Sequence, residues 1–182
     1  LFEPQSCRNR LGDQICEARE AGLVPIMSQE ALSGRAIGQA FHYGPYVAER
    51  LAAVFPQAKI LITIREQKAS VISHYRQYIA NGGVHSIERF IGADAQKPGF
   101  TPVFYSDHLK YDRLIETYIT LFGRDSVMVL PAEKLFHDTP SALSQLSGFI
   151  GAAASYPVTL QPERVGMKGV EIKMRRFMNG CG

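Results

Sequence analysis

Arg65 and Ser73 are the residues whose types and spacing most directly suggest chemistry. Both lie in KILITIREQKASVISHYRQY, residues 59–78. The run from Lys59 to Ile64 is apolar and largely β-branched, and it gives way abruptly to Arg65 and Glu66. A guanidinium is a planar fork of donors that matches phosphate or sulfate. Ser73, eight residues on, carries a hydroxyl that can donate to the same anion. A helix is predicted to start within about three residues of Arg65, and a helix N-terminus adds free N–H groups and a favourable dipole. Together these features predict a phosphate or sulfate site. The plainer alternative is an arginine ending a strand in solvent, paired with Glu66, and a serine facing water.

Such a site needs a strand to deliver the arginine and a helix to carry the serine. Lys59 to Ile64 reads as a strand covered on both faces, as in a parallel sheet. Ser126 to Leu130 is a second buried strand, and Leu23 to Met27 a third. Ala69 to Ala80 reads as the helix after Arg65, stopped by Gly82-Gly83. Further helices are predicted over Ser6 to Ala21, from Gly44-Pro45 to Pro56, over Ser86 to Ile91 and over Asp107 to Phe122. Another runs from a Thr139 cap, with Pro140 at its first position, to Gly151. Val170 to Met178 reads as a last helix with a basic outer face. Ser28 to Tyr43 reads as a loop or irregular helix, and Val84 to Thr101 as a mobile loop around the short helix. The alternation predicts an α/β fold: a mainly parallel sheet flanked by helices, three-layer α/β/α, in one domain over residues 1–182. Ligands of open α/β sheets bind beyond the carboxyl ends of the strands, where Arg65 would stand.

Bulk properties narrow the partners. The 182 residues, 46% hydrophobic and 20% charged, suit one domain with a sizeable core. A net charge of +3 fits an anionic ligand but is too small to argue for nucleic acid. Three cysteines, Cys7, Cys16 and Cys181, do not make a disulfide framework and point to a reducing, cytoplasmic setting. No apolar run reaches the roughly 18 residues of a membrane span. No metal-ligand spacing is evident.

Three segments in order resemble the PAPS-dependent sulfotransferases. The strand ending in Arg65, with Ser73 eight positions later and Tyr75 after it, is similar to that family's 3′-phosphate-binding segment. YDRLIETYITLFG, residues 111–123, resembles the helix before the family's later strand. VMVLPAEKLFHDTPSALSQLSGFIG, residues 127–151, resembles that strand and the helix after it, with Glu133, Leu135, Phe149 and Gly151 in place. The resemblance spans about residues 45 to 151. It implies a P-loop-like sulfotransferase architecture in which Arg65 and Ser73 hold the 3′-phosphate of PAPS (3′-phosphoadenosine 5′-phosphosulfate). It further implies in-line transfer of a sulfuryl group to a hydroxyl or amine of a small-molecule or carbohydrate acceptor, with PAP as product and without a metal.

The family's Gly-rich phosphosulfate loop has no counterpart here. ALSGRAIGQA, residues 31–40, has spaced glycines but no strand running into it, so the loop is expected upstream of Leu1. A general base must reach the acceptor proton. The candidates are His42, 23 residues before Arg65, and Glu30, which follows the predicted Leu23–Met27 strand. His74 reads as structural, and His85, His108 and His137 have no evident partner. Lys168-Gly169, in a basic segment over residues 164–176, is a weaker candidate for nucleotide contact. Tyr105, Ser106 and Asp107 are candidates to line an acceptor pocket. Two rival readings remain: a non-catalytic 3′-phosphonucleotide-binding module, and a kinase-like P-loop phosphotransferase. The second would want a Walker lysine and an acidic metal ligand, and neither is visible.

Overall fold

The computed structural model describes residues 2–34, 36–37, 44–92, 103–152 and 167–181. Its elements run α1 (Pro4–Glu20), α2 (Gly44–Val54), β1 (Ile60–Ile64), α3 (Gln67–Ala80), α4 (Ile87–Phe90), α5 (Tyr111–Phe122), β2 (Val127–Pro131), α6 (Ala132–His137), α7 (Thr139–Ile150) and α8 (Gly169–Gly180). Short 3₁₀ turns occupy Glu30–Ser33, Ser106–Leu109 and Arg124–Ser126. β1 and β2 pair in parallel, in register from Ile60 opposite Val127 to Ile64 opposite Pro131. Parallel pairing requires a crossover, here the chain between Ile64 and Val127. The result is an α/β fold with a parallel sheet flanked by helices.

The described chain groups into two compact units. The first contains α1, α2, β1, α5, β2, α6 and α7. Its core joins Ile60, Ile62 and Ile64 of β1 and Val127 of β2 to Ala48 and Leu51 of α2 and to Leu114, Tyr118 and Phe122 of α5. Gly44 opens α2 against the chain: a Cβ there would stand 3.2 Å from the Ser33 carbonyl oxygen. The Tyr118 hydroxyl donates to the Leu32 carbonyl at 3.0 Å, tying the 3₁₀ turn at Glu30–Ser33 to α5.

The second unit contains α3, α4 and α8 with residues 103–110. Tyr75 and Ile79 of α3, Phe90 of α4, Phe104 and Ala36 form its core. The Phe90 ring lies 5.2–5.4 Å from the rings of Tyr75, Tyr78 and Phe104. α8 docks on α3 through polar groups. Asn179 Nδ2 donates to the carbonyls of Ile79 and Gly83, both at 2.9 Å, and Arg175 donates to Ala80 at 3.3 Å. The Ile79 and Ala80 carbonyls belong to the end of α3, where intrahelical donors run out, and Gly83 lies just beyond it. A cation is also favoured there by the helix dipole.

The structure departs from the sequence reading in five places. Leu23–Met27 forms no strand: Pro25 lacks a ladder donor, and no described strand pairs with it. β1 is covered on one face only, with Leu61 41% exposed, because α2 and α5 pack against the isoleucine face alone. The helix predicted from Asp107 breaks at Lys110 (φ −82°, ψ 68°) into a 3₁₀ turn and then α5. Asp138, not Thr139, caps α7: its carboxylate accepts from the Ser141 N–H at 3.3 Å. The outer surface of α8 carries, besides the exposed Lys173 and Arg175, an apolar stripe that was not expected, with Phe177 74% exposed. The remainder of the predicted 84–101 loop, from residue 93, lies outside the described residues.

Candidate functional site

Arg65 follows the last residue of β1 and precedes α3 by one residue. Its side chain is exposed, and no hydrogen bond or ion pair to the described residues engages the guanidinium. Ser73 is exposed on α3, and its hydroxyl is likewise unengaged. Both stand in the second unit. Ser73 lies about 9 Å along the helix axis from Gln67, so an anion shared by the pair requires the arginine to lie along the first turns of α3.

The helix start does not contribute as the sequence suggested. Glu66 caps α3, and its carboxylate oxygens accept from the N–H groups of Lys68 at 3.0 Å and Ala69 at 2.6 Å. Donors that would face a phosphate are therefore occupied by an anion of the chain itself. At about 100° per residue, Glu66 and Ser73 fall on one side of α3. A ligand phosphate held by Arg65 and Ser73 would meet that negative charge.

Arg76 is a cation that the sequence reading passed over. It lies three residues beyond Ser73, so the two side chains are neighbours on the surface of α3. Its Nε is shielded from solvent and has no hydrogen-bond partner among the described residues. The signal was available in SHYRQY, since i, i+3 spacing places both groups together once the segment is taken as a helix.

The structure also gives His74 and His108 the partners that the sequence hid. The His74 ring stands 5.5 Å from that of His108, edge to face, and 5.7 Å from Phe104. His74 Nδ1 lies 2.8 Å from the Ser70 carbonyl oxygen. A carbonyl only accepts, so Nδ1 carries a proton and Nε2 is the basic nitrogen of the neutral ring. The His108 pKa is lowered, first by burial and then by the nearby His74. Gln67 Nε2 donates to the Leu109 carbonyl at 3.0 Å, fixing the first turn of α3 against the segment that carries His108. No local pattern announces this pairing, because 33 intervening residues separate the rings in sequence.

The other predicted residues are placed as follows. Glu30 opens the 3₁₀ turn at Glu30–Ser33 in the first unit, and the strand expected before it is absent. His42 lies outside the described residues, as do Arg164 and residues 35 and 38–40. Lys168 is exposed ahead of α8, and its N–H donates to Glu171 Oε2 at 2.7 Å. Ser106 and Asp107 lie in the 3₁₀ turn after Tyr105, where Asp107 forms an ion pair with Lys110 at 2.5 Å. An open depression lined by Arg124, Asp125, Met128 and Phe149 lies at the amino end of β2, the end opposite to that used by ligands of such sheets.

A solved structure of a sulfotransferase from Alicyclobacillus acidocaldarius is similar to this chain, with a TM-score of 0.54 and 19% sequence identity. The fold is sulfotransferase-like α/β. The match covers 76% of this chain and 57% of that one, so the chain spans little more than half of the bacterial protein's length. No family model and no curated protein matches the sequence.

Proposed function

We propose that the chain is part of a sulfotransferase that takes PAPS as donor, with Arg65 and Ser73 holding its 3′-phosphate. The observation that carries this reading is the free Arg65 guanidinium at the carboxyl end of β1, followed by an exposed Ser73 on α3. The sulfotransferase-like fold supports it. The donor set fits a phosphate: a planar cationic fork, a hydroxyl, and Arg76 one turn further on. When bound, PAPS supplies the sulfuryl group, whose sulfur bonds to the acceptor oxygen or nitrogen as its bond to the 5′-phosphate oxygen breaks.

The chain's own residues would do three things. Arg65 and Ser73 donate to the 3′-phosphate and so fix the nucleotide, converting an encounter into a positioned reaction. Arg76 adds positive charge on the same side of α3. A base takes the acceptor proton, and His42 and Glu30 are the candidates for that role. The acceptor is a small molecule or a glycan carrying a hydroxyl or amine.

Thermal-shift titration with PAP, AMP and ATP tests the reading. PAP should raise the melting temperature more than AMP at equal concentration, since only PAP carries the 3′-phosphate. Loss of a charged hydrogen bond costs about 1.5–3 kcal/mol, so Arg65→Ala should weaken PAP binding roughly 10- to 100-fold. Ser73→Ala should weaken it less. An equal response to AMP, or undiminished PAP binding by Arg65→Ala, sinks the assignment. Selective PAP binding without turnover of PAPS by any hydroxyl or amine acceptor would favour the non-catalytic binding module.

A further inference from the structure

Two histidines meet where the 3₁₀ turn at Ser106–Leu109 lies on α3, within one compact unit. The His74 and His108 rings stand 5.5 Å apart, edge to face, and both side chains are partly buried. His74 is held on its own helix: Nδ1 lies 2.8 Å from the Ser70 carbonyl oxygen, and the ring leans on Phe104 at 5.7 Å. His108 is presented by a turn that is tied down unevenly. Just before it, Phe104 is buried, and the N–H groups of Phe104 and Tyr105 donate to the carbonyls of Phe90 and Ala36. Within the turn, the N–H groups of His108 and Lys110 donate only to the turn itself, at Tyr105 and Asp107. Among the described residues, its hold on α3 is the Gln67 bond to the Leu109 carbonyl, Leu109 at the margin of the core, and the histidine pair.

Neutral rings pack edge to face because a ring's edge and face have opposite polarity. Two imidazolium ions at the same separation repel, and partial burial weakens the screening between them. The charged groups on the elements packed here do not offset that repulsion. At the start of α3, Arg65 and Lys68 are cations, and the Glu66 carboxylate accepts from the Lys68 and Ala69 N–H groups. In the turn, Asp107 pairs with Lys110 at 2.5 Å. Phe90 and Phe104 bring no charge. The influences on His108 are burial and His74, and both lower its pKa.

We propose that His74 and His108 form a pH-sensitive latch: while neutral they hold the Ser106–Leu109 turn against α3, and when both are protonated they drive it off while Phe104 stays anchored. The regulatory meaning rests on the sulfotransferase reading, in which Ser106 and Asp107 are candidates to line the acceptor pocket; the latch itself does not. Hydrogen exchange of the free protein therefore tests it without any ligand. Between pH 7.5 and pH 5.0, corrected for intrinsic exchange rates, protection of the His108 and Lys110 amides should fall about tenfold or more, the equivalent of one unit of coupling between the rings. The amides of Phe104 and Ile79 should keep their protection. His74→Gln and His108→Gln each leave one imidazole, so each should lose most of the response, and having variants on two elements keeps the test open should one fail to fold. In ring spectra, His74→Gln should move the His108 titration up toward the ordinary value near 6.5. Protection that is unchanged in acid, that falls in the core as much as in the turn, or that falls equally in both variants overturns the proposal. The expected exchange pattern in a protein that does not bind PAP would support the latch and remove only its sulfotransferase setting.

Discussion

Glu66 decides how much Arg65 can do. Its carboxylate caps α3 and also places a negative charge on the side of the helix that carries Ser73. The two roles predict opposite signs. Glu66→Gln keeps an acceptor for the helix amides but loses the charge, so stability should fall by about 0.5–1 kcal/mol. Affinity for PAP should rise several-fold, since a repulsion against the phosphate disappears. Urea denaturation and PAP titration of the same variant read the two effects separately, and a loss of affinity would show that Glu66 is not near the bound phosphate.

His108 makes a second prediction at this scale. Burial and His74 lower its folded pKa, while the unfolded chain titrates near 6.5. As pH falls through about 6.5, the unfolded state therefore binds more protons than the folded state, and stability is lost. Above that value the contribution is fully present. Denaturation midpoints measured at pH 7.5 and 5.5 should differ more in the wild type than in His108→Gln. Equal differences would mean that the histidine titrates alike in both states.

Among the elements, α3 carries the most constraints. Its start is fixed by Glu66 and by the Gln67 bond to Leu109, and its end by Asn179 and Arg175 of α8. Beyond that end, Gly82 turns the chain at φ 95°, and Gly83 lies flat on Tyr78. A Cβ on Gly83 would stand 2.3 Å from the Tyr78 ring. The ring cannot move freely, because its hydroxyl accepts from the N–H groups of both Val84 and His85 at 3.2 Å. Gly83→Ala should therefore cost about 1–3 kcal/mol in urea denaturation, the usual cost of overpacking. A neutral result would show that Tyr78 has another rotamer open to it. The sequence marked Gly82-Gly83 as a helix stop, and that is what local backbone chemistry can reveal. It could not show that the second glycine is required by a ring five residues back.

For the whole molecule, the two strands and most helices were legible because each is set by local pattern. Lys59 to Ile64 and Ser126 to Leu130 are β-branched runs of strand length, and both form paired strands. Gly151 ends α7 in the left-handed conformation, as its residue type implied. Leu23 to Met27 was misread because an apolar run is a strand only if a partner ladder exists. Pattern alone cannot say whether one does. The exposed apolar stripe of α8 went unforeseen for a related reason. The wheel identifies two faces, but packing chooses which is turned in, and here carbonyls at the end of α3 selected the polar one.

The sequence by itself determined the α/β class, the parallel pairing of a strand that ends in Arg65, and the placement of Ser73 on the helix that follows. These depend on period, propensity and covalent order, all of which are local. Only the tertiary structure decided that Glu66 occupies the amides offered to a phosphate, that His74 meets His108, and that α8 leaves its apolar stripe outward. Each of those depends on where a carboxylate, ring or carbonyl lies in space, and through-space hydrogen bonding and packing set that position.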